Sequence, residues 1–394
     1  MENRKRNHFF APRRLAIPIL LLSSLLYSIT SNKTSSVSIQ KQILFVGDIS
    51  FGESYQKKLE KKGAENILKS KGYSYSFEKL NELTNSSEII LGNLETPLST
   101  CPKSPLSGKG KYKLHKGDTT NTPKELVSNH VKAVSLANNH AMDFGVEGLL
   151  ETFNVLTRYQ ISYWGAGIND KTAAEPLKIF EAIGKDSLKI LILAGMPYDD
   201  KYAREFNYYA TTKQPGVNGW IIDVAKNQIK RAKEKHNDAF IIVYPHWFEN
   251  YRWKSKDQTK FAHAFIDAGA DLVIGHGTHM FQEFEMYKNK TIIYSIGNFV
   301  FNSPGRYQKK NIHHYSLAAK MDLSKYESHI TYKIKLYPLV SNNELTHFQP
   351  RLVNASEMDS VDQIIKTIHI SKKDLKRGLD KLGHFIELSS VNEP

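Results

Sequence analysis

The sequence of 394 residues contains a single cysteine, Cys101. One thiol excludes an intrachain disulfide and a zinc site built on cysteines. No Gly-x-Ser-x-Gly nucleophile elbow and no Gly-rich Walker-type loop is present, which argues against a serine hydrolase of that type and against a P-loop nucleotidase. The sequence also has no internal repeat and no low-complexity tract. Its composition is that of a soluble globular protein.

Acidic residues are scarce relative to basic ones, 40 against 54, and the formal net charge is +14. Such an excess favours an anionic polymer, an anionic lipid surface or a phosphorylated substrate as a partner. A solvated lysine-rich surface is the more common explanation. No nucleic-acid-binding motif accompanies the charge and the basic residues are scattered, so nucleic acid is not predicted as a partner.

The only long uncharged segment near the N-terminus is Leu15–Ile29, which follows a basic stretch. Its length suits the apolar region of an export signal and falls short of the roughly 20 residues of a full membrane span. No clean cleavage site follows it. We therefore predict a signal that stays as a membrane anchor over residues 1–30, a tether over 31–40, and a domain outside the cytoplasm, exported if the signal is cleaved.

Five apolar segments read as buried strands of an α/β fold, and each is followed by polar side chains. Ligand sites of open α/β sheets lie at such carboxyl ends of strands. Each cluster alone is as well explained by a turn or a helix cap, but five in corresponding positions favour one common site. The side chains are Asp48; Asn93 and Glu95; Asn138, Asn139 and His140; His246; His276 and His279.

Carboxylate, amide and imidazole ligands without thiolate suit a divalent metal such as Mn, Fe or Zn. One or two such ions neutralise phosphoryl oxygens and make a bound water more acidic. A histidine beside a ligating asparagine is suited to protonate the leaving group. The set therefore predicts metal-assisted hydrolysis of a phosphoester.

The order of these motifs along residues 42–338 resembles the CapA family of bacterial capsule and poly-γ-glutamate synthesis proteins. The motifs are Gly-Asp (47–48), Asn-Leu-Glu (93–95), Ala-Asn-Asn-His with Asp-Phe-Gly (137–145), His-Trp (246–247), Gly-His-x-x-His (275–279) and Ser-x-Gly-Asn-Phe-Val-Phe (295–301). The resemblance implies a calcineurin-like metallophosphatase fold, a four-layer α/β/β/α sandwich with mixed sheets, over residues 41–345. Residues 346–394, with one or two helices over Val361–Leu382, are predicted as a helical extension packed on that domain.

The resemblance also implies roles for ten residues. The metal ligands would be Asp48, Glu95, Asn139, His246 and His279. The catalytic residues would be His140, as general acid, and His276, as ligand or substrate contact. The residues that shape the site would be Asn93, Asn138 and Asn298. The implied partners are an anionic polymer or a phosphorylated substrate, the membrane, and the membrane subunits of a polymer synthase.

The sequence departs from the wider superfamily at three points. Ile49-Ser50 follows Asp48 where Asp-x-His is usual, Glu95 replaces a bridging aspartate, and the closing histidine pair is spaced one residue wider. Within the CapA pattern, the stretch after His246-Trp247 lacks its usual Gly and Glu. These differences favour a site that binds one metal ion, or binds its metal weakly. The alternative that the protein is a non-catalytic accessory subunit that binds a polyanion therefore stays open. A general periplasmic phosphatase is the third alternative.

Overall fold

The computed structural model describes residues 39–111, 113–183, 186–327, 329–368 and 375–389. The strands are β1 (Ile39–Ser50), β2 (Ile90–Leu94), β3 (Val131–Ser135), β4 (Ser162–Trp164), β5 (Ala166–Gly167), β6 (Leu177–Ile183), β7 (Asp186–Pro197), β8 (Gly216–Val217), β9 (Gly219–Trp220), β10 (Phe240–Pro245), β11 (Leu272–Ile274), β12 (Phe284–Tyr287), β13 (Lys290–Ile293), β14 (Asn298–Phe301), β15 (Tyr315–Tyr326), β16 (His329–Val340), β17 (Arg351–Leu352), β18 (Lys376–Leu379) and β19 (His384–Ser389).

Most helices in the described ranges are short, and four have 12 to 14 residues. The helices are α1 (Glu53–Glu60), α2 (Ile67–Ser70), α3 (Asn81–Thr84), α4 (Asn121–Ser128), α5 (Gly145–Arg158), α6 (Asp170–Ala173), α7 (Asp200–Phe206), α8 (Ile222–Lys235), α9 (Lys256–Asp267), α10 (Tyr307–Lys310), α11 (Asn343–Thr346) and α12 (Ala355–Ile368), with two 3₁₀ turns at Ser74–Ser76 and Glu78–Leu80. The predicted anchor and residues 31–38 of the predicted tether lie outside the described residues, whereas Ile39 and Gln40, predicted as the end of the tether, already belong to β1 and pair with β15. In the ranges that are described, no helix is both long enough and apolar enough to cross a bilayer.

The first sheet is mixed and is centred on β1. Its order is β18-β19-β16-β15-β1-β2-β3-β4, with β14 also pairing with β1 and β17 with β16. The pairs β1–β2, β2–β3 and β3–β4 are parallel. The carboxyl ends of these strands therefore meet at one edge.

The second sheet has the order β12-β13-β11-β10-β7-β6, with β9 pairing with β7. Side chains alternate across it, as in any strand buried on both faces. Ile190 and Ile192 of β7 pack into the core shared with the first sheet, whereas Leu191 and Leu193 face the other way. That second face is covered by α8 and α9 through Ile229 and Phe265 among others.

Helices on the other side of the molecule complete the layering. Leu126 of α4, Phe153 of α5 and Val361 of α12 are buried in the core cluster that holds the first sheet. The order of layers is helix, sheet, sheet, helix. The predicted α/β sandwich of calcineurin type with mixed sheets is confirmed.

Two elements differ from the predictions. The first strand continues past Asp48 to Ser50, because its last residues have a parallel partner on each side, β2 and β14. The C-terminal prediction of helix is wrong after residue 375, where β18 and β19 form a hairpin and β19 extends the first sheet along β16. The backbone of Asp380 and Gly383 closes this hairpin by two mutual hydrogen bonds, and Gly383 has a positive φ of 143°.

Candidate metal centre

Strand register brings the predicted side chains of the first sheet together. Asp48 of β1 is paired with Asn93 of β2 on one side and with Asn298 of β14 on the other. Glu95 follows β2 directly. Asn138, Asn139 and His140 follow β3 after two residues, and Asn138 donates to the side chain of Asn93 at 2.9 Å.

The second sheet supplies the three other histidines. His246 follows β10 and His276 follows β11, and the two form an isolated parallel bridge because β10 and β11 are parallel neighbours. His279 comes three residues later. The facing edges of the two sheets thus bring the predicted residues into one buried cluster.

Close backbone approaches set the position of these residues. A Cβ on Gly47 would lie 1.6 Å from the carbonyl oxygen of Gly297, and a Cβ on Gly275 would lie 2.0 Å from that of Tyr294. Both glycines directly precede a residue of the cluster, Asp48 and His276. His279 has a φ of 64°, a left-handed conformation that is uncommon for a residue with a side chain and recurs at functional sites.

Asp48 is the centre of the cluster. One carboxylate oxygen lies 3.2 Å from Nδ1 of His276 and accepts from Nδ2 of Asn93 at 2.9 Å. The other oxygen accepts from the backbone N–H of Gly277 at 3.1 Å and lies 3.7 Å from Nδ1 of His279. Nδ1 of His246 is 3.3 Å from Nδ1 of His276.

These spacings fit metal ligands. Two ligands bound about 2.1 Å from one ion lie about 3.0–3.4 Å apart at tetrahedral or octahedral angles. Asp48, His246 and His276 form one group whose ligand atoms lie within 4.8 Å of one another, and Asp48, Glu95 and His279 form a second. Because both groups share Asp48, the site can accommodate one divalent ion or two.

Five buried polar atoms of the cluster have no hydrogen-bond partner among the described residues. They are both carboxylate oxygens of Glu95, Oδ1 of Asn139, and Nε2 of His246 and His276. Leaving such atoms buried and unpaired is costly, and native structures rarely do so without a reason. Lone pairs of oxygen and imidazole nitrogen are what a divalent ion of the Mn, Fe or Zn type binds. The residues present therefore fit the metal.

The protonation states of His246 and Asp48 agree with that role, and Glu95 would have to lose a proton to take part in it. Burial, followed by the charge of His276, lowers the pKa of His246 well below its usual value, so that its imidazole is neutral. Burial opposes ionisation of Asp48, but the hydrogen bond and the charge of His276 outweigh it, and the pKa of Asp48 is lowered. Burial and the negative charges of Asp48 and Asp143 raise the pKa of Glu95 well above its usual value.

His140 is held by residues that the sequence analysis did not assign to the site. Its Nδ1 lies 2.7 Å from Asp143 and its Nε2 lies 3.8 Å from Glu95. The ring of His115 stacks on it at 3.7 Å and 4°, while Nδ1 of His115 bonds to the carbonyl of Glu95 at 3.0 Å. Lys111, whose side chain is 7% exposed, bonds to Asp143 and to the carbonyl of Asn139.

Tyr307 is a further residue of the site that was not predicted from the sequence. Its hydroxyl donates to the carbonyl of His279 at 3.0 Å and accepts from Nδ2 of Asn298 at 3.2 Å. Oδ1 of Asn298 lies 2.9 Å from Nδ1 of His279. Asn298 and Tyr307 together therefore fix the orientation of His279.

Comparison with known proteins places the chain in a family. Residues 42–303 match the model of the bacterial capsule synthesis protein PGA_cap. This chain belongs to that family. It is 30% identical over 312 residues to the capsule biosynthesis protein CapA of Bacillus anthracis, covering 76% of this chain and 70% of that protein. It is also 30% identical over 259 residues to the PGA biosynthesis protein CapA of Bacillus subtilis, covering 66% and 62%.

More distant similarities extend beyond the bacilli. A probable polyglutamine synthesis accessory protein of Mycobacterium tuberculosis is 29% identical over 237 residues, 58% of this chain and 60% of that protein. Among solved structures, GAP50, the anchor in the inner membrane complex of Plasmodium, aligns over 77% of this chain and 85% of its own with 12% identity and a TM-score of 0.30.

Proposed function

We propose that this PGA_cap protein takes part in the synthesis or export of an anionic surface polymer and carries a metal-dependent phosphoester hydrolase site. The observation that carries the proposal is the group of five buried polar atoms of the cluster that have no hydrogen-bond partner among the described residues. A scaffold without chemistry has no need to bury a glutamate carboxylate with neither oxygen hydrogen-bonded. A divalent cation bound among them would supply the missing partner once Glu95 is ionised.

The polymer role is supported by the relatives. The two Bacillus proteins are named for capsule and PGA biosynthesis and share 30% identity with this chain. The net charge of +14 suits a polyanionic partner. We further propose that Leu15–Ile29 anchors the chain in the membrane, with the described domain outside the cytoplasm and beside the membrane subunits of a polymer synthase.

The ligands in this proposal are Asp48, Glu95, Asn139, His246 and His279, together with His276. A divalent ion bound there would neutralise phosphoryl charge and make water a better nucleophile at neutral pH. The neutral imidazoles of His246 and His279 and the ionised Asp48 are ready to bind, whereas Glu95, whose pKa is raised by burial, would release its proton to the solvent on binding.

His140 is placed to move the proton of the leaving group. Asp143 accepts a hydrogen bond from Nδ1–H of His140, which fixes the tautomer and leaves Nε2 free to exchange protons. Because burial and then the charge of Lys111 lower the pKa of His140, the ring is neutral, and Nε2 would take up a proton from the attacking water before it gives one to the leaving group. Nε2 faces Glu95, at the rim of the proposed ligand set. The stacked ring of His115 keeps the imidazole of His140 from rotating away.

The test is metal content followed by turnover. The full-length chain, purified in detergent, is supplied with micromolar Mn²⁺, Fe²⁺ or Zn²⁺, and bound metal is measured by mass spectrometry. We expect a stoichiometric ion in the wild type, its loss in His246→Ala and Asp48→Asn, and its retention in His329→Ala, an exposed histidine outside the site.

Hydrolysis of bis-p-nitrophenyl phosphate by the loaded protein, abolished by chelation, would then support the enzyme. A wild type that holds no metal would contradict the proposal and favour the non-catalytic accessory subunit. Metal binding without hydrolysis of any phosphoester would contradict the phosphoesterase part alone.

A further inference from the structure

Tyr251 lies in the segment that follows His246-Trp247, and the backbone holds it beside His279. Its backbone N–H donates to the carbonyl of Thr278 at 2.9 Å, one residue before His279. Tyr251 has a φ of 57°, a left-handed conformation that costs free energy for a bulky residue and recurs where a side chain must face a ligand. The segment after the His-Trp motif is therefore fixed at the metal site.

The ring of Tyr251 packs against two residues of the site. It stacks on the imidazole of His279, with ring centroids 5.1 Å apart and an interplanar angle of 29°, and it meets the ring of Tyr307 edge-on at 5.2 Å and 81°. A ligand nitrogen of His279 lies within 4.8 Å of ligand oxygens of Asp48 and Glu95. The ring of Tyr251 therefore forms a wall of the site next to the second ligand group.

The hydroxyl of Tyr251 makes no hydrogen bond to any described residue. Tyr251 is only 7% exposed, and its hydroxyl belongs to the part that stays accessible. Buried tyrosines usually find a partner for this group. Tyr307 donates to the carbonyl of His279 at 3.0 Å, and Tyr244 donates to the carbonyl of Val46. Tyr251 therefore holds a donor in a fixed position that the described residues do not use.

The surroundings of this hydroxyl suit an anionic oxygen as its partner. Burial, followed by Tyr307 and the carboxylate of Glu95, raises the pKa of Tyr251 well above its usual value, so the hydroxyl keeps its proton. A phenol has one proton to donate. Hydrogen bonds to ionised oxygens are about twice as strong as those between neutral groups. A phosphoryl group beside His279 would offer such oxygens.

We propose that the hydroxyl of Tyr251 binds the substrate by donating a hydrogen bond to a non-bridging oxygen of the phosphoryl group held at the metal site. This contact rests on the proposed function, because a phosphoryl group comes to lie beside His279 only when that residue is a ligand. Ring and hydroxyl have separate roles. The ring keeps His279 in place, and the hydroxyl contacts the substrate without being a ligand of the metal.

The experiment measures the binding of inorganic phosphate to the full-length chain loaded with Mn²⁺, by calorimetry, with metal content determined on the same samples. Tyr251→Phe keeps the ring and removes only the hydroxyl. Tyr337→Phe is the matched control, because its hydroxyl bonds to Asp380 of the C-terminal hairpin at 2.8 Å, outside the metal groups. Tyr251→Leu removes the ring as well.

We expect Tyr251→Phe to keep its metal and to raise the dissociation constant for phosphate about tenfold, which is the effect of losing one hydrogen bond to a charged group. Its kcat/KM for bis-p-nitrophenyl phosphate should fall by a similar factor. The Tyr337→Phe control should match the wild type in metal content and in phosphate affinity. Tyr251→Leu should also hold less metal, because His279 loses the ring that stacks on it.

A Tyr251→Phe protein that binds phosphate as tightly as the wild type would overturn the proposal and leave Tyr251 as a packing residue. Loss of metal in Tyr251→Phe would overturn it too, since the hydroxyl would then act on the ligands. A loaded wild type that binds no phosphate would contradict this contact and leave the metal centre intact. A wild type without metal would contradict the proposed function itself, and this contact with it.

Discussion

Glu95→Gln should have opposite effects on stability with and without metal. In the metal-free protein the Glu95 carboxylate is fully buried, has no hydrogen-bond partner on either oxygen among the described residues, and is repelled by Asp48 and Asp143. Glutamine has the same shape and no charge.

The magnitude follows from these contacts. An unpaired buried charge costs more than an unpaired neutral amide, so the chelated variant should be more stable than the chelated wild type by about 1–2 kcal/mol. Metal at 100 times its dissociation constant stabilises a protein by about 2.7 kcal/mol. The variant should lose most of this increment with its ligand. The order of stability therefore reverses when metal is added.

Thermal unfolding of both proteins, in chelator and in saturating Mn²⁺ or Zn²⁺, measures this reversal. Glu53→Gln is the matched control, because Glu53 is a buried glutamate with one unpartnered oxygen outside the metal groups. Its effect should be the same in both conditions. If Glu95→Gln destabilises the chelated protein and leaves the metal increment unchanged, Glu95 is a packing residue and the ligand assignment is wrong.

Three further substitutions test the framework of the site. Tyr244→Phe removes the hydroxyl that donates to the carbonyl of Val46 and joins the two sheets, and should cost about 1–2 kcal/mol in urea unfolding; no change would show that the bond contributes nothing. Lys111→Met leaves Asp143 buried without its cation and should cost about 3–5 kcal/mol, whereas a cost below 1 kcal/mol would contradict a buried ion pair. Gly47→Ala brings a Cβ to 1.6 Å from a facing carbonyl oxygen and should abolish metal binding; a variant with full metal content would refute the close approach.

The site residues at the strand ends could be predicted because in each case an apolar segment is followed directly by polar side chains. Asp48, His246 and His276 all follow segments rich in β-branched and aliphatic residues, and parallel pairing then places their carboxyl ends at one edge. The same logic cannot show where a strand ends. The β1 strand continues through Asp48 because β14, about 250 residues later in the chain, supplies a partner.

The residues around His140 could not be predicted in the same way. Lys111 and His115 lie in a loop rich in Pro, Gly, Lys and Ser, where no periodicity indicates which side chain faces inward. Their contacts with Asp143 and His140 span 25 to 32 residues and arise only when the loop closes over the site. The C-terminal hairpin was not predicted because β19 forms by pairing with β16, and the local sequence does not show that β16 has an edge free for pairing.

The most direct test of the account is an anomalous difference map from crystals of the protein grown with Mn²⁺. The account predicts a peak at bonding distance, about 2.0–2.3 Å, from Asp48 and from ring nitrogens of His246 and His276, with a second peak near Glu95 and His279 if two ions bind. Loss of the peak in His246→Ala crystals would confirm its ligands. A map with no peak at Asp48 in fully supplied crystals would contradict the metal centre.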